Sequence, residues 1–313
     1  MIYTVTLNPA VDKELVVPEI AFDSVLRAGK TRVDFGGKGF NVSRMLQALG
    51  AESTAIGFAG GKSGDLLREG LESLGIGIDF VPVSGETRTN VSVVTEPASH
   101  YLKVNEPGPT ISASELDELR RKVRALSRDG DWWVLAGSLP PGVPTAVYAH
   151  LIADIQAAGG RVILDTSGEA LGLGCGARPF LAKPNDVEAH QLTGLPVNNP
   201  AEIAAAAQAM QANGVGNVVV SLGKAGALLV DGTAVWQAAS PKIQERNPIG
   251  AGDSMVGGLV FALSQGYAVA EALRWGIACG AATASLPGTA VGTRPLVEQL
   301  LPQVMLRDVT AVA

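Results

Sequence analysis

Short apolar runs alternate along the chain with loops rich in glycine, proline and asparagine. The first run, residues 2–7, is rich in β-branched residues and ends just before Pro9, which predicts a buried strand. Similar runs predict further strands at residues 53–58, 132–136, 161–165, 180–183, 215–222 and 227–230. Apolar residues spaced three and four apart predict helices at residues 36–49, 64–74 and 145–157, and another from about residue 252.

The order of these elements is mostly strand followed by helix, which is typical of a parallel sheet with crossover helices. Residues 88–105 differ, because apolar and polar side chains alternate there around residues 97–99 and predict a hairpin. Residues 13–35 predict short strands outside the main sheet. Since ligands of parallel sheets bind at the carboxyl ends of the strands, we expect the functional site in the loops that follow them.

Composition excludes several classes of protein. The formal net charge of −6 argues against a nucleic-acid binder that relies on a broad basic surface. No window reaches about 18 uninterrupted apolar residues, so no membrane span is expected. The N-terminus lacks the features of a signal peptide, and Cys175 and Cys279 are too few for a disulfide framework. We therefore expect a cytoplasmic protein, with residues 1–313 as a single domain.

The segment NPIGAGDSMVGG, residues 247–258, carries the strongest chemical signal. We interpret it as a loop that turns into a helix. Gly250 and Gly252 let the backbone fold tightly, and small residues leave the free amides of the helix open to an anion. Asp253 allows two interpretations, a helix cap or a base beside a phosphate. At a helix N-terminus its pKa is expected to be lowered, which argues against a strong base.

Other motifs exclude alternative sites. Residues 57–63, GFAGGKS, are one residue short of the pattern G-x-x-x-x-G-K-[ST], so part of its amide nest is missing and we interpret them as a structural turn. The sequence contains no G-x-G-x-x-G, so a nicotinamide site has no support. His100, His150 and His190 share no spacing typical of metal ligands.

The segments GGKGFNVSR, residues 36–44, and GAGD, residues 250–253, resemble the two signatures of the ribokinase-like (phosphofructokinase B) carbohydrate kinases, in the expected order. This resemblance spans essentially the whole chain. It implies a ribokinase-like three-layer α/β/α sandwich with a mostly parallel central sheet. It also implies a small β-sheet lid formed by about residues 12–35 and 88–105, and ATP-dependent, Mg²⁺-assisted phosphorylation of a sugar phosphate.

The resemblance further implies a set of site residues. Those expected at the reaction centre are Asp253, as the base, and Gly250, Ala251 and Gly252, whose amides would hold the transferred phosphoryl group. Those expected to bind the sugar phosphate are Asp12, Gly36, Gly37, Lys38, Asn41, Arg88, Lys103 and Ser138. Those expected to bind ATP are Lys183, Asn185, Ser221, Gly223, Gly226, Gly252 and Ser285, with Glu188 and Asn185 at the metal.

Structural explanations remain open for several of these residues. Asp12 is a loop carboxylate in our interpretation, and such groups are usually only solvated. Asn185 and Glu188 fit a helix cap and its third residue, a role that can coexist with metal binding. Arg88 and Lys103, placed at opposite ends of paired strands, can be ordinary edge-strand charges.

Within the family, the motifs look most like those of the fructose-1-phosphate and tagatose-6-phosphate kinases, with further likeness to the minor 6-phosphofructokinase. A sugar-phosphate sensor that has lost turnover is the non-enzymatic alternative, against which Asp253 and the intact glycine turn argue. Lids of this family often pair in dimers, so a homodimer through the lid is a candidate assembly.

Overall fold

The structure is a computed structural model and describes residues 1–95 and 100–311. Its strands are β1 (Ile2–Thr6), β2 (Ala10–Val17), β3 (Lys30–Gly36), β4 (Thr54–Ala59), β5 (Gly77–Ile78), β6 (Val81–Pro82), β7 (Arg88–Thr95), β8 (Tyr101–Asn105), β9 (Trp132–Ala136), β10 (Arg161–Asp165), β11 (Leu181–Ala182), β12 (Asn217–Ser221), β13 (Ala227–Asp231), β14 (Ala234–Ala239) and β15 (Met305–Asp308). Its α-helices are α1 (Lys38–Ala48), α2 (Gly61–Ser73), α3 (Ala113–Leu126), α4 (Val147–Ala157), α5 (Gly168–Gly176), α6 (Asp186–Thr193), α7 (Pro200–Ala212), α8 (Ala251–Ser264), α9 (Val269–Ala284) and α10 (Arg294–Leu300).

Eleven strands form the large sheet, in the order β15-β14-β13-β12-β11-β10-β9-β1-β4-β5, with β6 also paired to β4. The pairs from β5 to β12 are parallel, whereas β13, β14 and β15 add an antiparallel edge. This confirms the predicted mostly parallel sheet. From β1 the chain extends the sheet first towards β4 and later, through β9, in the opposite direction, which creates a crevice at the carboxyl ends of these strands.

The sheet is buried on both faces, which accounts for its continuous apolar strands. In β9 all five residues are buried. Trp133 and Leu135 lie in one core cluster, whereas Trp132, Val134 and Ala136 lie in another. Because successive side chains of a strand point to opposite faces, these two clusters are the two interfaces between sheet and helices. The predicted three-layer arrangement follows directly.

The lid is a separate four-stranded sheet with the order β3-β2-β7-β8. Its strands agree with the predicted segments, and the proposed turn at residues 97–99 lies outside the described residues. The interpretation of Asp12 as a loop carboxylate was wrong, because Asp12 lies within β2 opposite Asp34 and Asn90. The placement of Lys103 at a strand end was also wrong, since it lies in the middle of β8, opposite Ser92.

The two faces of the lid have opposite character, as the strand register shows. Residues directly opposite each other in paired strands share a face. One face therefore carries polar rows, Asp34-Asp12-Asn90-Asn105 and Arg32-Glu14-Ser92-Lys103. The other carries mostly apolar rows, Val33-Lys13-Val91-Val104 and Thr31-Leu15-Val93-Leu102.

The Walker-like segment forms the end of β4 and the first turn of α2, which begins three residues earlier than predicted. The carboxylate of Glu86 accepts a hydrogen bond of 2.6 Å from the backbone N–H of Ser63 in this turn. A Cβ built on Gly61 would collide with the same carboxylate. Since the protein's own anion occupies the N-terminus of α2, the interpretation of this segment as structural is confirmed.

Candidate active site

The N-terminus of α8 lies above the crevice, and its backbone is shaped by Gly250. This residue is the helix N-cap in a left-handed conformation, with φ of 78°, which a glycine adopts without strain. The N–H of Ala251 donates to the carbonyl of Pro248 at 3.1 Å. Among the described residues no backbone acceptor faces the N–H groups of Gly250, Gly252 and Asp253. The free amides therefore differ from the expected set, because Asp253 contributes one and that of Ala251 is engaged.

Asp253 lies on the first turn of α8 and is only 9% exposed. The side-chain amide of Asn41, on α1, donates a hydrogen bond of 2.8 Å to its carboxylate. Burial, with a smaller contribution from the charge of Asp165, raises the pKa of Asp253 to about 6, against the opposing effects of Asn41, Lys38 and Lys183. The expectation of a lowered pKa is thus overturned, because loss of solvation outweighs the favourable helix terminus. A carboxylate with this pKa is a competent base near neutral pH.

Asp165, the last residue of β10, contacts two lysines beside Asp253. Its carboxylate lies 3.0 Å from the ammonium group of Lys38 and 3.5 Å from that of Lys183. Burial favours the neutral acid, yet the charges of the two lysines outweigh it and hold the pKa of Asp165 below its usual value. A Cβ built on Gly252 would lie 4.0 Å from the ammonium group of Lys183. The ammonium group of Lys183 therefore lies close to Gly252 in the first turn of α8.

Sequence reasoning gave Asp165 no role in the site. The residue ends a buried strand, and many aspartates do so without function. The useful signal is its position in the sheet, since β9, β10 and β11 are neighbours whose carboxyl ends meet. Lys183 directly follows β11, and it was expected at the nucleotide rather than beside Asp165.

The polar face of the lid closes the side of the crevice at which sugar binding is expected. The side-chain amide of Asn90 donates to the carboxylate of Asp12 at 2.8 Å. A Cβ built on Gly36 would lie 2.2 Å from an oxygen of Asp12, so only glycine leaves this carboxylate in place. Burial raises the pKa of Asp12, and the hydrogen bond from Asn90 opposes this shift. Lys38, Asn41 and Asp12 thus border one site from α1 and the lid.

Among the buried polar atoms that have no hydrogen-bond partner within the part of the chain that the structure describes, three lie in the lid and at its base. They are Nε of Arg88, Oδ1 of Asn8 and Oδ1 of Asn90. Buried polar groups are rarely left unpaired, because each such group costs about 1–3 kcal/mol. A donor and two acceptors without partners fit a polyhydroxylated ligand with an anionic group.

Arg88 is anchored at the base of the lid, where its guanidinium group donates to the carbonyls of Asn8 at 2.9 Å and Glu106 at 3.0 Å. Lys103 is exposed on the polar face of the lid. Ser138 is exposed in the loop after β9. Its neighbour Gly137 lies close to Lys38, since a Cβ built on Gly137 would be 3.8 Å from the Cβ of Lys38. Gly37 is the N-cap of α1. The expected sugar-binding residues therefore surround one crevice, with Lys103 at its outer margin.

A cavity of about 1090 Å³ lies on the other side of the N-terminus of α8. Of the expected nucleotide-binding residues it is lined by Asn185, Ser221, Gly223, Gly226 and Gly252. Ser285 is not among the lining residues, and its hydroxyl donates to the carbonyl of Ala282 at 2.8 Å. The apolar wall is formed by Met255, Ile277, Gly280, Ala281 and Ala284. Sequence reasoning missed the loop after β14, where Ser240, Pro241, Lys242, Ile243 and Glu245 also line the cavity.

Asn185 and Glu188 form a reciprocal cap at the start of α6. Asn185 Oδ1 accepts from the N–H of Glu188 at 2.8 Å, and Glu188 Oε2 accepts from the N–H of Asn185 at 2.9 Å. The predicted capping role is confirmed. One carboxylate oxygen of Glu188 has no protein partner in the described structure, so the pair suits Mg²⁺, which takes few protein ligands and keeps several waters. No cluster of three or more His, Cys, Asp or Glu side chains suited to a metal occurs in the described residues.

The buried carboxylate of Asp253, the free amides of a helix N-terminus, the crevice under the lid and the adjoining large cavity are the features expected of a phosphotransferase on a parallel α/β sheet. The pfkB family carbohydrate kinase model matches residues 5–295. The chain belongs to this family, and the predicted kinase class is confirmed. Among the residues that the structure describes, no helix has the length and apolar character needed to cross a membrane.

Curated relatives cover almost the whole chain. The 1-phosphofructokinase of Bacillus subtilis (strain 168) is 36% identical over 304 residues, which are 97% of this chain and 98% of the relative. The ATP-dependent 6-phosphofructokinase isozyme 2 of Escherichia coli (strain K12) is 35% identical over 290 residues, 92% of this chain and 94% of the relative.

Solved structures share the fold. The Escherichia coli phosphofructokinase-2 in complex with potassium has a TM-score of 0.92 and 33% identity, covering 96% of this chain and 98% of that one. Arabidopsis thaliana ribokinase complexed with ribose and ATP has a TM-score of 0.76 and 22% identity, covering 96% of this chain and 98% of that one. The ribokinase-like fold is therefore confirmed.

The elevated pKa of Asp253 predicts the pH dependence of turnover. We expect kcat/KM to fall as the pH decreases through about 6, because the carboxylate is then protonated. Asn41→Ala removes a hydrogen bond that favours the charged form, so the pKa rises and the acid limb should move up by about one pH unit. Initial rates measured from about pH 5 to about pH 9, a range that includes the pKa of Asp253, give this shift.

Asn90→Ala is the matched control, because its amide makes an equivalent 2.8 Å hydrogen bond to the carboxylate of Asp12. This variant should raise KM for the sugar and leave the acid limb in place. An acid limb that stays unmoved, or moves to lower pH, in Asn41→Ala would contradict the assignment of the limb to Asp253.

Proposed function

We propose that this protein transfers the γ-phosphoryl group of ATP to a hydroxyl of a sugar phosphate, with fructose 1-phosphate as the preferred acceptor and fructose 1,6-bisphosphate as product. The observation that carries this proposal is the position of Asp253. It lies beside the free amides of α8, between the large cavity and the polar face of the lid.

The reaction has one bond-forming and one bond-breaking event. The sugar hydroxyl oxygen forms a bond to the γ-phosphorus of ATP, the bond to the bridging oxygen breaks, and ADP leaves. The hydroxyl proton passes to the carboxylate of Asp253. Most of the catalysis is positioning and charge stabilisation, since phosphoryl transfer demands little covalent chemistry from the protein.

The N-terminus of α8 would stabilise the phosphoryl group in transit. The free N–H groups of Gly250 and Gly252 are fixed donors at the positive end of a helix dipole. Lys183 adds a full positive charge next to Gly252. When bound at Glu188 and Asn185, Mg²⁺ would supply further positive charge to the phosphates of ATP.

The large cavity is the proposed ATP site. Gly223 and Gly226 form its turn after β12, and a side chain at Gly226 would collide with the carbonyl of Ala238. The apolar wall between α8 and α9 suits a purine base. Ser285 does not line the cavity, but it directly follows α9, and we keep it as a proposed neighbour of the nucleotide.

The choice of fructose 1-phosphate rests on two supports. The strand end TLNPA, residues 6–10, and the turn GGKG, residues 36–39, occur together in this chain, and the Bacillus subtilis relative is named for that substrate. Tagatose 6-phosphate and fructose 6-phosphate are the alternatives, and the Escherichia coli relative favours the second of them. A sugar-phosphate sensor is the non-enzymatic alternative.

A substrate panel tests the function. We expect the highest kcat/KM with fructose 1-phosphate, measured as ATP consumption against tagatose 6-phosphate, fructose 6-phosphate and fructose. Asp253→Asn should lower kcat by roughly 10²–10⁴ and leave binding of ATP and sugar phosphate intact. A preference for either 6-phosphate would overturn the ranking, and a wild-type protein that binds these sugars without turnover would be a sensor.

The phosphate already present on the substrate needs a cationic partner, for which we propose Arg88. Its Nε is buried without a partner, and two other N–H groups are anchored to the backbone. Arg88→Ala should raise KM for the sugar phosphate by about 30- to 150-fold, equivalent to losing a charge-assisted hydrogen bond of roughly 2–3 kcal/mol. KM for ATP should change little.

Lys103→Ala is the control for Arg88, since Lys103 is exposed on the same face of the lid and should bind the phosphate only weakly. Steady-state kinetics with fructose 1-phosphate and with fructose separate the two roles. If Arg88→Ala impairs both sugars equally, Arg88 supports the lid rather than the phosphate.

We also propose a homodimer in which the apolar faces of two lids pack together. Val33, Leu102 and Val104 on this face are 42%, 45% and 56% exposed. Exposed apolar side chains grouped on one face often mark an association surface. The polar face is committed to the crevice, so a second copy would leave the sugar site open.

Sedimentation velocity tests the dimer. Replacement of Val104 and Leu102 by aspartate should convert a dimer to a monomer, because the charges would be buried without partners. Leu173→Asp, at a residue of α5 that is 40% exposed, is the control and should leave the mass unchanged. A wild-type protein that is monomeric at every concentration would contradict the proposal.

Residues 1–313 are proposed to act as a single kinase domain, because α1 of the N-terminal part contacts α8 of the C-terminal part. We propose the cytoplasm as its location, where ATP is available and where the buried thiols of Cys175 and Cys279 would remain free.

A further inference from the structure

Asp165 is held in a fixed position by the sheet. Its backbone carbonyl accepts a hydrogen bond of 3.0 Å from Gly137 after β9, and the N–H of Lys183 donates to the carbonyl of Leu164 at 3.0 Å. Its side chain is buried, with 2% exposed. The carboxylate therefore has little freedom to follow a moving partner.

The two lysines on either side of Asp165 belong to different parts of the site. Lys38 begins α1, which carries the sugar-binding residue Asn41, whereas Lys183 precedes the cap of α6 beside the proposed ATP site. The Lys183 side chain is 6% exposed and that of Lys38 is 40% exposed. Two ammonium groups this close would repel each other without an anion between them.

We infer that Asp165 is a positioning residue that holds the ammonium groups of Lys38 and Lys183 away from the carboxylate of Asp253. Lys38 can then contact the acceptor sugar and Lys183 the transferred phosphoryl group, while Asp253 remains free to accept a proton. The inference rests on the proposed function of Asp253. Its geometric basis is that the single carboxylate of Asp165 contacts both Lys38, on the sugar side of the site, and Lys183, on the ATP side.

The charges around Asp253 explain why the position of the lysines matters. The groups that face it are Lys38 from α1, Asp165 from β10 and Lys183 from the loop after β11, together with the hydrogen bond from Asn41. Glu188 of α6 acts on Lys38 from further away. Without Asp165 the lysines would turn to the remaining carboxylate and make Asp253 a weaker base.

The test is the pH profile of Asp165→Asn, an isosteric change that removes the negative charge and replaces one carboxylate oxygen with an amide NH2 group. We expect kcat to fall by roughly 10- to 100-fold, since a displacement of about 1 Å at a reacting centre can cost as much as about 100-fold. The acid limb of kcat/KM should move to lower pH by about one unit or more, as expected when a carboxylate gains cationic neighbours. An acid limb that stays at its wild-type position, whatever the rate, would overturn the inference.

Asp131→Asn is the matched control. Asp131 is also buried, but it lies at the amino-terminal end of β9, whereas Asp165 lies at the carboxyl end of β10. It pairs with the N-terminal ammonium group at 3.1 Å. This variant should reduce thermal stability and leave the acid limb unchanged. A limb that shifts equally in both variants would overturn the inference.

A second variant keeps the test decisive if Asp165→Asn folds poorly. Asp165→Asn combined with Lys183→Met removes one charge of each sign, so the protein should fold and the acid limb should return towards its wild-type position. A limb that stays shifted in this double variant would overturn the inference. Recovery of kcat in Asp165→Asn by excess Mg²⁺ would do so as well, because Asp165 would then serve the metal.

A titration without turnover separates this inference from the proposed function. In the ligand-free protein, carbon-13 NMR of labelled aspartate carboxyl groups measures the pKa of Asp253, assigned by its loss in Asp253→Asn. We expect a lower pKa in Asp165→Asn than in the wild type, whether or not Asp253 is the base in turnover. An unchanged pKa overturns the inference, whereas full activity of Asp253→Asn would overturn only the proposed function.

Discussion

The carboxylate of Asp165 accepts contacts from two lysines at the point where the central strands of the sheet end. Burying ionised groups is costly unless each finds a partner, and here the buried Asp165, Asp253 and Lys183 are balanced by Lys38, which is partly exposed, so that the four charges sum to zero. This arrangement requires β10, β11 and the start of α1 to keep their spacing. The positions of Asp253, of the crevice under the lid and of the large cavity depend on the same spacing, so the fold and the candidate site constrain each other.

The N-terminus of α8 is held as firmly as the charged cluster beneath it. Gly257 packs on Met45 of α1, and Gly258 packs on the backbone of Trp275 in α9, where an added Cβ would approach within 2.6 Å. The hydroxyl of Thr283 donates to Ser254 at 2.8 Å. A close-packed interior is hardly compressible, so the start of α8 has little freedom to move relative to α1 and α9. The free amides of the turn are therefore oriented before any ligand binds, which reduces the reorganisation that phosphoryl transfer requires.

Sequence patterns were informative where the physics is local. Apolar runs located seven of the eleven strands of the large sheet but missed β5, β6, β14 and β15, and the glycine turn at residues 250–253 located the helix terminus and its aspartate. They failed where a property depends on distant residues. The pKa of Asp253 follows from burial by the folded chain, the pairing of Asp165 follows from strand order, and the loop after β14 lines a cavity only because α8 and α9 lie opposite. Spacing along the chain contains none of these.

The register of the lid links two properties that are usually independent. Because side chains alternate along a strand, a slip of one residue in β2 would exchange its faces, turning Asp12 outwards and Leu15 into the crevice. A one-residue insertion within β2 would thus disrupt the polar face and the apolar face together. An insertion in the connection between β2 and β3 would disrupt neither face. Length changes in this lid should therefore accumulate in its loops during divergence, and its strands should change only by substitution.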